Sequence, residues 1–313
     1  MKKIGLLLLS SILVLSACNS GENKKTIKDV EKGNIPEKEQ SLEMSEDSLD
    51  AAIVADVMGE IIQRRSGIAK EALTVVAETQ NLLQLIEANK NDEAIKYGHQ
   101  LIGKLEVLLA KDPSLSLIPV DVNFQKNELI TDIKTVRELV KSAEDAMDDG
   151  YYQLAGDLLG NLHSEMIINS MYIPTVTYPE AIKAAVALLE DGRVADAKSI
   201  LQEVLGTIVV EKTILPLPVL KAEQMIIEAA KVDSVSHDNA DKVVNLLKNA
   251  KYQLLLAEEM GYGKKDAEYK DLNDAIKNIQ KSVNEKSDSQ SAFDSLKVKI
   301  NKFRERLFPK NQK

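Results

Sequence analysis

Gly150-Tyr151-Tyr152-Gln153-Leu154-Ala155-Gly156-Asp157-Leu158-Leu159 recurs 42 residues later as Gly192-Arg193-Val194-Ala195-Asp196-Ala197-Lys198-Ser199-Ile200-Leu201. Both stretches follow two acidic residues, place alanine sixth, and run gap-free to a proline at the same distance, Ala155 to Pro174 and Ala197 to Pro216. Asp148-Asp149-Gly150 and Glu190-Asp191-Gly192 have the form of helix ends, because glycine takes the left-handed C-cap conformation without steric cost. The small Ala155 and Ala197 then let a second helix pack closely on the first. An earlier copy, Leu85 to Ala94, parallels Leu188 to Ala197 with six extra residues before Pro119. A fourth, weaker copy starts near Ala222 and runs through Leu246 and Leu247. Each unit reads as helix, tight turn, helix and Pro-flanked β-prone segment, of the kind that buries its faces against neighbouring units.

Working outward, apolar residues fall at helical spacing through almost the whole body, as in Val136, Leu139, Val140, Ala143 and in Leu272, Ile276, Ile279, Val283. Glycine and proline are scarce and sit between these runs. Three segments break the pattern: Leu117 to Phe124, Met171 to Tyr178 and Thr207 to Pro218. They are rich in β-branched and aromatic residues, and their prolines confine them to edges or connectors. Either they gather as a small sheet at one end of the helices or they pack as extended loops over the core. The expected fold class is mainly α, an antiparallel helical bundle or short α-repeat array with a few extended segments.

The first eighteen residues carry a different message. Lys2 and Lys3, the apolar run Ile4 to Leu15, and small residues leading to Cys18 have the layout of a secretory signal with a lipidation site. The run is too short to span a bilayer. Cys18, the only cysteine, is the expected acylated residue (diacylglycerol and palmitate-type chains), and several acyl chains make such an anchor effectively permanent. From Asn19 to Ser48 the chain is polar and reads as a flexible tether spanning about 30 Å on average. The expected location is the cell envelope, lipid-anchored on the extracytoplasmic side, at the outer membrane in a Gram-negative host. A formal charge of −9 disfavours nucleic acid and anionic lipid surfaces, and a single cysteine excludes an internal disulfide.

No catalytic set emerges from the sequence. His99, His163 and His237 have no second histidine at i±4 and no cysteine partner, so no metal site is expected. There is no Gly-x-Ser-x-Gly elbow, and Gly261-Tyr262-Gly263-Lys264-Lys265 lacks phosphate-loop spacing and reads as a helix stop. No cofactor is called for. Tyr151, Tyr152, Tyr172 and Tyr178 fall within one unit and are either wedges between helices or the lining of a ligand or partner groove.

The run Ala185 to Ala197, the Leu215-Pro216-Leu217-Pro218 element and the helix start Leu220-Lys221-Ala222 resemble the YfdX-type family of bacterial envelope proteins. The resemblance covers roughly residues 130 to 262 and is strongest over 178 to 262. It implies a largely helical fold, exported or membrane-anchored placement and a link to envelope and acid stress, with no catalytic residue to carry over.

The organisation expected is a signal peptide over 1–17, the lipidated cysteine and tether over 18–48, an N-terminal helical region over 49–130, a YfdX-like repeat region over 131–263 and a C-terminal helical hairpin over 264–313. The expected function is a membrane-anchored, non-catalytic binding or stress-protective lipoprotein, with an envelope protein as candidate partner. A carrier of a small ligand or peptide is the alternative, and an acid/base hydrolase a third reading. The oligomeric state is open.

Overall fold

The computed structural model describes residues 43–232, 237–263 and 267–307. The leader, Cys18 and most of the tether lie outside them, as does the side chain of His237. The chain divides into residues 1–34 and 35–313, and every described residue belongs to the second unit.

Helix α1 (Glu46–Ser66) opens the described body, capped by Ser45, whose hydroxyl accepts from the Ser48 amide. It starts within the stretch read as tether, three residues before residue 49. A short 3-10 turn (Ala72–Thr74) leads into three successive units of one design. The first is α2 (Val75–Glu87), α3 (Asn91–Lys111) and β1 (Leu117–Asn127). The second is α4 (Ile133–Asp148), α5 (Tyr152–Gly160) and β2 (Glu165–Pro174). The third is α6 (Thr177–Glu190), α7 (Val194–Leu205) and β3 (Val209–Pro216). Four helices follow: α8 (Leu217–Lys231), α9 (His237–Glu259), α10 (Ala267–Asn284) and α11 (Gln290–Leu307). The fold is therefore mainly α with a small β element.

The repeat is visible in the hydrogen bonds. At each hairpin turn one residue has positive φ, Asn89 at 58°, Gly150 at 82° and Gly192 at 74°. The amide of the next residue then reaches back across the turn: Lys90 to the Leu85 carbonyl, Tyr151 to Ala146 and Arg193 to Leu188, at 2.8–2.9 Å. This is the Schellman closure of a helix end. Ala94, Ala155 and Ala197, each five residues past the turn residue, are buried. The fourth copy departs from the pattern: α8 and α9 pack together, but the next element is α10 and no strand follows among the described residues.

The β-prone segments form one antiparallel sheet in the order β1-β2-β3. Each strand ends its unit, so the three hairpins hang from adjacent strands. Pairing runs from Leu117↔Pro174 to Asn127↔Glu165 and from Glu165↔Pro216 to Tyr172↔Val209, with an irregularity between Pro119 and Asp121. The middle strand covers Glu165 to Pro174, six residues ahead of the segment expected from Met171. Tyr178 lies in α6, because Pro179 is tolerated in a first helical turn.

Hairpins one and three pack on each other. Helix α3 runs antiparallel to α6, with His99 Nε2 2.8 Å from Glu190 Oε1 and Lys183 Nζ 3.5 Å from Glu106. Helix α2 lies against α7 through Lys198 and Glu87 at 2.9 Å. Glu87 and Glu190 are equivalent last residues of their helices, so the pair has a pseudo-twofold relation. Hairpin two is placed apart from them. Its α4 rests on α9, tied by Arg137 to Glu259 at 2.9 Å, and its interior of Ala143, Ala146, Ala155 and Leu158 is a small cluster separate from the main core.

Candidate functional site

Helix α1 lies against β1, and its last turn reaches the part of the sheet where the inward-facing residues give way to a cleft. Met166 and Ile168 on β2 are buried core residues. Ser170 and Tyr172, continuing the same face at period two, are instead polar. Arg64 of α1 spans the strands here, its Nη1 donating to Ser170 Oγ of β2 and Thr213 Oγ1 of β3, both at 3.2 Å. The rest of its guanidinium is held by Glu60, one helical turn earlier. Beyond it opens a cleft of about 310 Å³ bounded by Gly67, Ile68, Pro119, Asp121, Tyr172 and Glu211. That volume sits at the small end of the range used by ligand sites.

The charges around the cleft decide what it can take. Arg64 is committed to Glu60, and Arg65 is paired with Asp121. Glu211 takes a 3.2 Å hydrogen bond from the Tyr172 hydroxyl. Of the charged groups lining the opening, Arg64 against Asp121 and Glu211 leaves one net negative charge. Burial, and then the Glu211 carboxylate, push the Tyr172 phenol above its ordinary pKa, so it remains a hydrogen-bond donor at neutral pH. The arrangement suits a small polar guest that brings hydrogen-bond donors or a positive charge.

The four tyrosines are not brought together. Tyr172 alone lines the cleft. Tyr178 is fully buried between α6 and α2, donating to Thr79 Oγ1 at 2.9 Å, and burial raises its pKa. Tyr151 and Tyr152 stand exposed at the start of α5. The sequence reading missed Arg64, Asp121 and Glu211. Arg64-Arg65 at the end of an amphipathic helix reads as ordinary C-terminal dipole compensation, and its crossing to the sheet is a tertiary fact.

Among the described residues no group of three or more His, Cys, Asp or Glu is placed to hold a metal ion, and no helix is long and apolar enough to cross a membrane. His99 and His163 are surface residues beside Glu190 and Glu165.

Fold and site together define a helical-hairpin repeat protein with a cleft at its sheet, part apolar and part polar. Residues 75–214 match the family model described as YfdX protein, so the YfdX resemblance holds over the three hairpin–strand units, from the start of α2 into β3. The match begins well before residue 130 and ends short of the Leu215–Ala222 residues. A solved structure, Salmonella Typhi YfdX, is similar at 15% identity with a TM-score of 0.33, covering 48% of this chain and 93% of that one. A comparison with curated proteins gives no match.

Proposed function

We propose that this chain is a lipid-anchored, extracytoplasmic binding protein without catalytic chemistry, serving a YfdX-like protective role, and that the cleft at Tyr172 holds its ligand. The observation that carries the reading is the cleft itself: a hydrogen-bonding Tyr172–Glu211 pair beside a guanidinium already neutralised by Glu60. Such a site has groups to bind and orient a guest. Its one polarised donor–acceptor pair lacks a third group to complete a nucleophile or base. The anchor rests on the Cys18 context, and the location and envelope partner follow from it.

Two measurements test the proposal separately. Cys18→Ser should move the protein from the membrane fraction to the soluble one; retention in the membrane overturns the anchor. A thermal-shift screen of small amines and polyols should find ligands whose affinity falls at least tenfold in Glu211→Gln. Ligands bound equally by that variant, or consumed by the protein, overturn the cleft reading.

A further inference from the structure

A second pocket, of about 150 Å³, lies where α1, α8 and α9 meet the connection between β1 and α4. It shares no lining residue with the Tyr172 cleft. Leu49 of α1, Pro218 of α8 and Leu256 of α9 give it apolar walls, and Ile130 of the connection, 95% exposed, stands at its lip. A cavity of about 150 Å³ holds a molecule of about benzene's size. It is too small for the drug-sized guests or peptide segments that fill sites of about 300 Å³ and more.

One side chain inside asks for a guest. Ser164, just before β2, lines the pocket and is 4% exposed. Its amide donates to the Tyr262 hydroxyl and its carbonyl accepts from the Leu217 amide, both at 2.8 Å. Its Oγ makes no hydrogen bond among the described residues. Buried hydroxyls are otherwise satisfied, because leaving one unbonded is costly.

The charges are independent of Ser164 and give the sign of the guest. Glu46 and Asp50, one turn apart on α1, both line the pocket, with Glu128 and Lys221. The two nearby lysines are already engaged. Lys126 lies 2.7 Å from Asp50 and 2.6 Å from Glu128, and Lys221 lies 2.7 Å from Glu128. Burial pushes the Glu128 carboxyl up, but the two lysine bonds outweigh it and hold it below its ordinary range, so it stays ionised at neutral pH. Three carboxylates against two ammonium groups leave one negative charge. Among the described residues no lysine or arginine pairs with Glu46, and no three acidic groups are placed to share a metal ion. That charge is left for an organic cation.

We propose that this pocket binds a small organic amine of about six to eight non-hydrogen atoms, its ammonium at Glu46 and Asp50 and its hydroxyl or carbonyl oxygen at Ser164. The apolar walls then cover the short alkyl stem between the two polar ends.

The test is a ligand-observed NMR titration of the full chain in detergent with terminal aminobutanol. Butanediol, which lacks the ammonium, and butylamine, which lacks the hydroxyl, are the controls. Aminobutanol should bind saturably, and each control at least tenfold more weakly. Glu46→Gln and Ser164→Ala should each weaken aminobutanol about tenfold, the loss of one hydrogen bond to or within a charged pair. Glu46 is exposed, so Glu46→Gln keeps the test open if Ser164→Ala disturbs folding. Glu211→Gln should leave the affinity within twofold. No saturable binding, butanediol bound as tightly as aminobutanol, or an affinity unchanged in Glu46→Gln would each overturn the proposal. A tenfold loss in Glu211→Gln with none in Glu46→Gln would place the amine in the Tyr172 cleft, overturning this site while leaving that one standing.

Discussion

At Gly98 the missing side chain sets how near two hairpins come. Gly98→Ala should destabilise the protein by about 1–3 kcal/mol in urea unfolding, the range for overpacking a well-filled core. Val186→Ala placed on top should recover part of the loss, since it removes the methyl that the new Cβ meets. A second residue-scale consequence follows from Tyr262. Its buried hydroxyl accepts from the Ser164 amide at 2.8 Å, and burial, opposed by that bond and helped by Glu165, pushes the phenol up to about 12. An unfolded tyrosine ionises near pH 10. The folded state therefore holds the proton over the window from about 10 to about 12, and the stability this group contributes is present below that window and lost as pH rises through it. Denaturant titrations at pH 9 and pH 11.5 should show a smaller alkaline loss in Tyr262→Phe than in the parent chain. At pH 7 that variant should itself cost about 1–3 kcal/mol, because the buried Ser164 amide loses its acceptor.

At the scale of the element, the hairpin turn is the unit of design. Gly150 and Gly192 occupy left-handed conformations that cost an L-residue about 1–2 kcal/mol, so Gly192→Ala should lose about that much in thermal or urea unfolding. Asn89 holds the equivalent place with a residue that tolerates it, and Asn89→Gly should leave stability within about 1 kcal/mol. The turns at Gly150 and Gly192 were legible from the residues, because glycine declares positive φ locally and the 42-residue period places them in register, whereas the left-handed Asn89, 61 residues before Gly150, was not. The strands were half legible. Pro119, Pro174 and Pro216 marked where they end or bend, but Glu165 to Ser170 is held in β2 by pairing on both sides, which no local preference records. The tyrosines were misleading as a group, since closeness in sequence scattered them over a core, a cleft rim and a surface. The cleft assembles from α1 and three strands, with contacts spanning 39 residues from Tyr172 to Glu211 and 149 from Arg64 to Thr213, so neither Arg64 nor Glu211 announces it.

Across the whole molecule, one buried charge cluster ties distant parts together. Arg304 of α11 lies 2.9 Å from both Glu223 of α8 and Asp56 of α1. Burial raises the Glu223 pKa despite the pull of Arg304, so this carboxylate opposes folding once ionised, and would do so far more without the cation. The aromatic pair of Tyr269 and Phe303, edge to face at 4.8 Å, locks α10 to α11 beside it. The C-terminal hairpin is therefore part of the body's stability rather than an appendage. Arg304→Met should cost about 3–5 kcal/mol by leaving Glu223 buried without its partner, and adding Glu223→Gln should restore much of it. Calorimetry of the parent chain should show one cooperative transition. Separate melting of the C-terminal hairpin would contradict the cluster's role.

The placement of the three hairpins has an evolutionary consequence. Two of them are judged by whether the chain folds, since a poor contact between them opens its own core. The middle one answers to no such examination at Gly156, where an added side chain would meet open space. Three units of one design are thereby free to drift at different rates, and the one with the fewest folding duties is the natural place for related chains to acquire new associations.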